Sequence, residues 1–279
     1  MTADEILRAG VEILGSEPEK GFRRLALQWH PDHCVDPRSG EVLAHLTKLR
    51  DRASGRQEEF TVQLPGAVAR LGRDEIEVPE PARGFDALRA RFEKPARLLE
   101  RRGAKFVRPP DSVPLVEVLR RKGALPPHHV AWMASRLYEL AWEADRAGQM
   151  VGGVYVEGLL VLVEAHGVVP MDLRFMARSG SKMEAVPAVL LPLVPKDKAA
   201  TWRFDVACAN KVALRLLGDP TGTGNALLTR AKNEPTLLPP RFLEWFRKAP
   251  EGSAEQSYRS YRDLLKEIFG PPKYHVLTV

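Results

Sequence analysis

The chain has 279 residues, a net charge of +6 and only two cysteines, Cys34 and Cys208. A length above roughly 200 residues favours two domains, and the 44% hydrophobic and 28% charged fractions are typical of a globular protein. Two distant cysteines outside any Cys-x-x-Cys pattern disfavour a disulfide scaffold and a zinc ribbon. Neither a signal peptide nor an apolar run of about 20 residues is present. We therefore expect a cytoplasmic protein with no membrane partner.

Apolar spacing along the first 55 residues predicts three helices. The first runs from Asp4 to Leu14, and the third runs from about Glu41 to Ala53. The second begins after Ser16 and ends before Pro31, because proline disfavours helix in the preceding residue. One side of this second helix is apolar, with Phe22, Leu25, Ala26 and Trp29. The other side is polar and mostly basic, with Lys20, Arg23, Arg24 and Gln28.

The loop after the second helix begins with the triplet His30, Pro31 and Asp32. Proline fixes one backbone angle and limits how far this turn can relax. Asp32 is too short to reach both its own helix and a partner, so a role outside the domain is reasonable. A basic second helix, an His-Pro-Asp turn and an antiparallel third helix together resemble the J domain of DnaJ-type co-chaperones.

This resemblance implies that the segment docks on the ATPase domain of an Hsp70 (DnaK-like) partner and promotes ATP hydrolysis. In that family the His-Pro-Asp turn engages the junction between the nucleotide domain and the linker of Hsp70, and the basic face binds an acidic surface. The residues implied in Hsp70 binding are His30, Pro31, Asp32, Lys20, Arg23, Arg24 and Gln28. His33 departs from the Lys or Arg that many J domains carry after the triplet. The chain also lacks the Gly/Phe-rich linker and the zinc repeats through which the longest DnaJ proteins capture clients.

The remaining sequence predicts a mixed second domain, so the expected fold class is α+β and mostly helical. We place the J domain at 1–55, a polar linker at 56–59 and the second domain at 60–279. Strands are predicted at Phe60–Leu64 and at Glu75–Val78. The segment Val151–Phe175 is predicted to be β structure, with a hairpin turn at Ala165–Gly167. Helices are predicted at Phe85–Arg102, Leu115–Lys122, His128–Ala147, Asp205–Leu217, Pro240–Lys248 and Glu255–Phe269.

Residues 115–175 resemble the C-terminal lobe of a protein kinase. Val151-Gly152-Gly153 falls where kinases have His-Arg-Asp, Gly158 where the magnesium-binding Asn belongs, and Asp172-Leu173-Arg174 near Asp-Phe-Gly. Asp205 resembles the buried Asp of a later kinase helix. Phosphoryl transfer needs a positioning Asp and metal ligands, which glycine cannot supply.

The kinase resemblance therefore implies a pseudokinase, a kinase-shaped domain with no catalysis and no metal or cofactor, which selects a client or a location. J domains fused to such domains resemble bacteriophage-type proteins, which implies the cytosol of a bacterial host. An active atypical kinase is the alternative within this fold.

A basic stretch between Arg83 and Arg108 holds nine Lys or Arg residues against three acidic ones, an excess equal to the net charge of the chain. A solvated helix face is the favoured interpretation. Binding of nucleic acid or another polyanion is the alternative. The residues that would carry it are Arg89, Arg91, Arg97, Arg101 and Arg102.

Two further patterns invite catalytic or phosphate-binding interpretations. Asp172 and His166 could form an acid–base pair across a hairpin, although a structural role is favoured for both. The segment GDPTGTGN (218–225) lacks the Gly-Lys-Ser/Thr ending and the preceding strand of a phosphate loop. An ordinary surface loop is therefore expected there.

Overall fold

The computed structural model describes residues 1–30, 34–53, 58–82, 85–92, 98–109, 111–163, 165–271 and 277. These residues form a mixed structure of helices and strands in which helix predominates, as the sequence predicts at that level. The chain divides into two compact units, Met1–Glu59 and Phe60–Val279. The predicted linker at 56–59 lies partly outside the described residues. None of the described helices combines the length and apolar character that a membrane crossing requires.

The first unit begins with two short helical segments instead of the single predicted helix. Helix α1 covers Ala3–Arg8, and a 3-10 turn covers Val11–Leu14. Between them the backbone is extended at Ala9 and Gly10, and the Glu12 carboxylate accepts the Gly10 N–H at 2.7 Å. The prediction of one helix from Asp4 to Leu14 is therefore wrong. Glycine favours a break of this kind because it costs more backbone entropy in a helix.

Helices α2 (Pro18–Gln28) and α3 (Ser39–Ala53) confirm the other two predictions in this unit. Their buried side chains form one core with α1 and the 3-10 turn, and its members include Leu25, Trp29, Val42, Leu46 and Leu49. Near the end of α3, the guanidinium carbon of Arg50 lies 4.5 Å from the ring centre of Phe22, near the start of α2. The two helices therefore pack against each other.

The second unit opens with a five-stranded antiparallel sheet of order β1-β2-β3-β5-β4. Its strands are β1 (Phe60–Leu64), β2 (Ala67–Leu71), β3 (Glu75–Glu77), β4 (Arg101–Arg102) and β5 (Lys105–Val107). Helix α4 (Phe85–Arg89) lies between β3 and β4 in the chain. The predicted strands at Phe60 and Glu75 are confirmed. The predicted helix from Phe85 to Arg102 is confirmed over Phe85–Arg89. It is wrong at its end, because Arg101 and Arg102 lie in β4, where Arg101 pairs with Phe106.

The rest of the second unit is mainly helical. Its helices are α5 (Leu115–Lys122), α6 (Pro127–Arg146), α7 (Trp202–Leu216), α8 (Leu228–Asn233), α9 (Pro240–Arg247) and α10 (Ala254–Phe269). Helix α6 packs against both α7 and α10. At the centre of this core the buried Tyr138 hydroxyl donates to the side-chain oxygen of Asn210 and accepts from the Trp245 indole N–H at 2.9 Å. A polar network thus ties α6, α7 and α9 together.

Two smaller sheets lie within this helical part. Strands β6 (Ser112–Pro114), β8 (Leu159–Leu162) and β9 (Gly167–Pro170) form one, and β7 (Gln149–Met150) pairs with β10 (Ala177–Arg178) in the other. The predicted hairpin is confirmed. The prediction of β structure is wrong for the loop at 151–155, for the 3-10 turn Val156–Gly158 and for 171–175. Gly152 has a φ of 71°, outside the range of a strand.

Candidate functional site

The exposed face of α2 carries the basic residues that the sequence places there. Buried Leu25 and Trp29 mark the opposite, core-facing side. The predicted partner-binding residues Lys20, Arg23, Arg24 and Gln28 are all exposed. His30 is also exposed and follows the buried Trp29 directly. Pro31 and Asp32 lie outside the described residues, so their part in the site stays a prediction.

The loop that contains the triplet is anchored on both sides. The Cys34 N–H donates to the His30 carbonyl at 2.8 Å. At the far end Arg38 donates to the Asp4 carboxylate of α1 at 2.7 Å, and its backbone N–H donates to Asp36 at 2.8 Å. The hydrogen bond from Arg38 lowers the pKa of Asp4. The described residues on both sides of the triplet are therefore held by contacts within the first unit.

Two apolar side chains accompany this basic face and were not predicted as site residues. Leu27 is 69% exposed, and Val35, on the other side of the triplet, is fully exposed. Leu27 lies four residues after Arg23 and three after Arg24, so all three share one side of α2. The spacing of Leu27 is visible in the sequence, but a single exposed apolar residue is ordinary by itself and gave no specific signal.

In the second unit the structure assembles a buried polar cluster from the loop at 151–158 and the segment after β9. Asp172 is fully buried. Arg174 donates to both of its carboxylate oxygens, from Nε and from Nη2, each at 2.8 Å. The Tyr155 hydroxyl donates to the same carboxylate. The bond with Asp172 raises the pKa of Arg174, and burial together with Asp172 raises the pKa of Tyr155.

Asp205 is buried, as the sequence predicts, and it holds the loop that precedes Tyr155. Its two carboxylate oxygens accept the backbone N–H groups of Val151 and Gly152 at 2.7 and 2.8 Å. Burial raises the pKa of Asp205 to about 7, although these two hydrogen bonds act in the opposite direction. The Asp205 carboxylate is therefore occupied by the backbone of this loop and is not available to a ligand.

The alternative interpretation of His166 and Asp172 as an acid–base pair gains no support, because each side chain has other partners. The His166 ring stacks on Trp132 with ring centres 4.7 Å apart, whereas Asp172 is held by Arg174 and Tyr155. A catalytic pair of His166 and Asp172 is therefore disfavoured on geometric grounds.

The loop at 218–225 closes on its own acidic residue. Asp219 is buried and accepts hydrogen bonds from the Thr221 hydroxyl at 2.6 Å and the Gly224 N–H at 2.6 Å. A carboxylate at the centre of the loop would repel phosphate. The expectation of an ordinary loop is therefore supported.

The basic stretch does not form one helix face. Arg101 pairs with Glu80 at 2.7 Å and with Asp86 at 3.6 Å, and Arg102 beside it in β4 is exposed. The other described members of the predicted set are elsewhere: Arg89 ends α4, and Arg91 follows it in an exposed turn. Arg97 lies outside the described residues. The charges are thus spread over several elements and partly neutralised, which weakens the case for polyanion binding.

Among the residues that the structure describes, no group of three or more His, Cys, Asp or Glu side chains is arranged to hold a metal ion.

No protein-family model matches the chain, and no curated protein matches it. Its function must therefore be argued from its own residues.

Proposed function

We propose that this protein is a co-chaperone that docks on an Hsp70 (DnaK-like) partner through its first unit and stimulates ATP hydrolysis by that partner. The observation that carries the proposal is the packed pair of helices α2 and α3, in which buried Trp29 follows α2 and exposed His30 comes directly after it. The exposed position of His30 is consistent with the role that the J-domain resemblance implies for the triplet of His30, Pro31 and Asp32.

The surface next to the triplet suits an acidic partner. Lys20, Arg23 and Arg24 lie on one exposed side of α2. Clustered cations of this kind raise the association rate and orient the partner more than they increase affinity. Leu27 and Val35 add apolar area that a partner can cover. Steering by charge and contact by apolar side chains are the two parts that a recognition surface needs.

The second unit is proposed to be a kinase-like scaffold without catalysis that selects a client or a location. A five-stranded antiparallel sheet followed by a mainly helical part supports this assignment. Asp205 supports it too, because its carboxylate binds the backbone of Val151 and Gly152, where the resemblance places His-Arg-Asp. Gly153 and Gly158 offer no group for proton transfer or metal binding. We accordingly propose that the protein is not itself an enzyme.

The test is single-turnover ATP hydrolysis by the host DnaK in the presence of the full chain. His30→Gln removes the imidazole at an exposed position, and His128→Gln makes the same chemical change in the second unit. We expect stimulation by the wild type and by His128→Gln, and its loss with His30→Gln. Absence of stimulation by a folded wild-type sample, or equal stimulation by His30→Gln, would contradict the proposed role.

A further inference from the structure

Arg174 contacts more than Asp172. The same Nη2 group that donates to Asp172 also donates to the backbone carbonyl of Pro65 at 3.0 Å. Pro65 and Gly66 form the turn between β1 and β2. One side chain therefore connects the segment after β9 with a turn of the five-stranded sheet, more than a hundred residues earlier in the chain.

A second tie joins the same two parts of the unit. The Ala82 N–H, between β3 and α4, donates to the Leu173 carbonyl at 3.0 Å. The segment 172–174 is thus hydrogen-bonded to the β1–β2 turn and to the segment between β3 and α4.

The carboxylate of Asp172 is fully used by these contacts. A magnesium or calcium ion would need direct access to carboxylate oxygens at about 2.0–2.6 Å. Both oxygens already accept from Arg174, and one also accepts from Tyr155. The residues here do not fit the metal that a kinase-like fold would bring to this position, because a guanidinium already neutralises the buried charge.

The loop at the His-Arg-Asp position has no room for a side chain. A Cβ atom at Gly153 would lie 2.0 Å from the Asp172 carbonyl oxygen, and one at Gly152 would lie 2.3 Å from the Phe175 carbonyl oxygen. The two backbones are in direct contact. The space that a catalytic Asp would need is therefore filled by the segment that carries Asp172 and Arg174.

We propose that Arg174 acts as an internal cation that takes the place of a metal at Asp172 and latches the β1–β2 turn. The second unit is then closed over this position without metal or nucleotide, and it presents one constant surface. This inference rests on the proposed kinase-like assignment of the second unit. It does not depend on whether the first unit activates Hsp70.

The test combines hydrogen–deuterium exchange with thermal unfolding of the full chain. Arg174→Ala removes the latch, and Arg178→Ala removes an exposed arginine nearby on β10 as the matched control. We expect faster exchange in the turn around Pro65 for Arg174→Ala and an unchanged rate for Arg178→Ala. We also expect that Mg²⁺, Mn²⁺ or Mg-ATP leaves the Tm of the wild type unchanged.

Either of two results would overturn the latch. One is that the turn around Pro65 exchanges as slowly in Arg174→Ala as in the wild type. The other is a rise in wild-type Tm with Mg²⁺ or Mg-ATP that Asp172→Asn abolishes.

Arg174→Lys keeps the test decisive if Arg174→Ala fails to fold. Lysine preserves the positive charge but lacks the planar fork that serves Asp172 and Pro65 together. We expect a folded variant whose turn exchanges faster than that of the wild type, and an unchanged rate would refute the latch. Loss of the latch leaves the DnaK assay unaffected, so failure of this inference and failure of the co-chaperone role give different results.

Discussion

The two units use charged side chains in opposite ways. In the first, Arg23 and Arg24 are exposed on a helix whose other side is core. In the second, Asp172 and Arg174 neutralise each other and hold two segments together. Exposed charges remain available to a partner at little energetic cost, whereas buried charges need internal partners to be tolerated. This difference fits the proposed roles, in which the first unit recognises Hsp70 and the polar cluster of the second unit maintains its shape.

Gly153→Ala tests the close packing of the second unit and is expected to have the largest effect. The added Cβ would meet the Asp172 carbonyl oxygen at 2.0 Å, so the two backbones must separate. We expect a loss of about 3 kcal/mol or more in the free energy of unfolding, at the upper end of overpacking effects. Denaturant unfolding of the full chain measures it. Gly72→Ala is the control, because its Cβ would lie 3.6 Å from the nearest atom; equal stability of the two variants would contradict the close contact.

Gly21→Ala applies the same change to the first unit. Its Cβ would lie 1.9 Å from the Leu14 carbonyl oxygen, so α2 cannot keep its contact with the 3-10 turn. We expect destabilisation of about 2–3 kcal/mol in this unit and loss of DnaK stimulation, with the unfolding transition of the second unit unchanged. Gly40→Ala, which meets no atom within 4 Å, should retain stimulation. Full activity of Gly21→Ala would show that the α2 packing does not matter for docking.

Asp205 is expected to make the stability of the second unit depend on pH. Because burial raises its folded pKa to about 7 from an ordinary value of 3.8, the folded state holds a proton that the unfolded state releases between those values. The free energy of unfolding should therefore fall as pH rises from about 4 to about 7, by about 1.4 kcal/mol per pH unit in the middle of that range. Asp205→Asn should remove this slope.

A control for Asp205 lies in the loop at 218–225. Burial of Asp219 opposes ionisation, but hydrogen bonds from Thr221 and Gly224 outweigh it and lower the pKa. The stabilisation from Asp219 is therefore lost only as pH falls through its low folded pKa, below this range. Unfolding measured from pH 5 to pH 8 should show the wild-type slope in Asp219→Asn. An unchanged slope in Asp205→Asn would contradict the assignment.

The smallest expected effect concerns the exposed face of α2. Charge reversal of Lys20, Arg23 and Arg24 should slow association with DnaK, by about tenfold at low salt and less at high salt, because exposed charges are screened. Leu27→Ala should instead accelerate dissociation, since it removes contact area and no charge. Association and dissociation rates at two salt concentrations separate the two effects. A salt-independent loss with the charge-reversed variant would argue against steering.

Local patterns predicted much of the fold. Apolar spacing and prolines located α2, α5 and α6, because helix signals lie within a few residues of each other. The break at Gly10 was missed because the apolar spacing continues through it. The helix predicted at Phe85–Arg102 is wrong at its C-terminal end, because pairing in the sheet decides the conformation of β4.

The candidate site residues show the same difference between local patterns and tertiary contacts. The basic face of α2 could be inferred from the spacing of its residues, whereas the burial of Asp205 was implied only by the kinase resemblance. The role of Arg174 could not be inferred, since its contact with Pro65 joins residues 109 positions apart. The glycines at 152 and 153 were recognised only as missing catalytic residues. Their tight contact with the segment 172–175 depends on tertiary packing that no local pattern encodes.

One measurement tests the division of roles between the units most directly. Single-turnover ATP hydrolysis by the host DnaK is compared for the wild type, His30→Gln and Arg174→Ala, each as the full chain with its folding verified. The account predicts that His30→Gln loses stimulation and that Arg174→Ala retains it. Stimulation retained by His30→Gln, or lost in Arg174→Ala while the first unit stays folded, would contradict it.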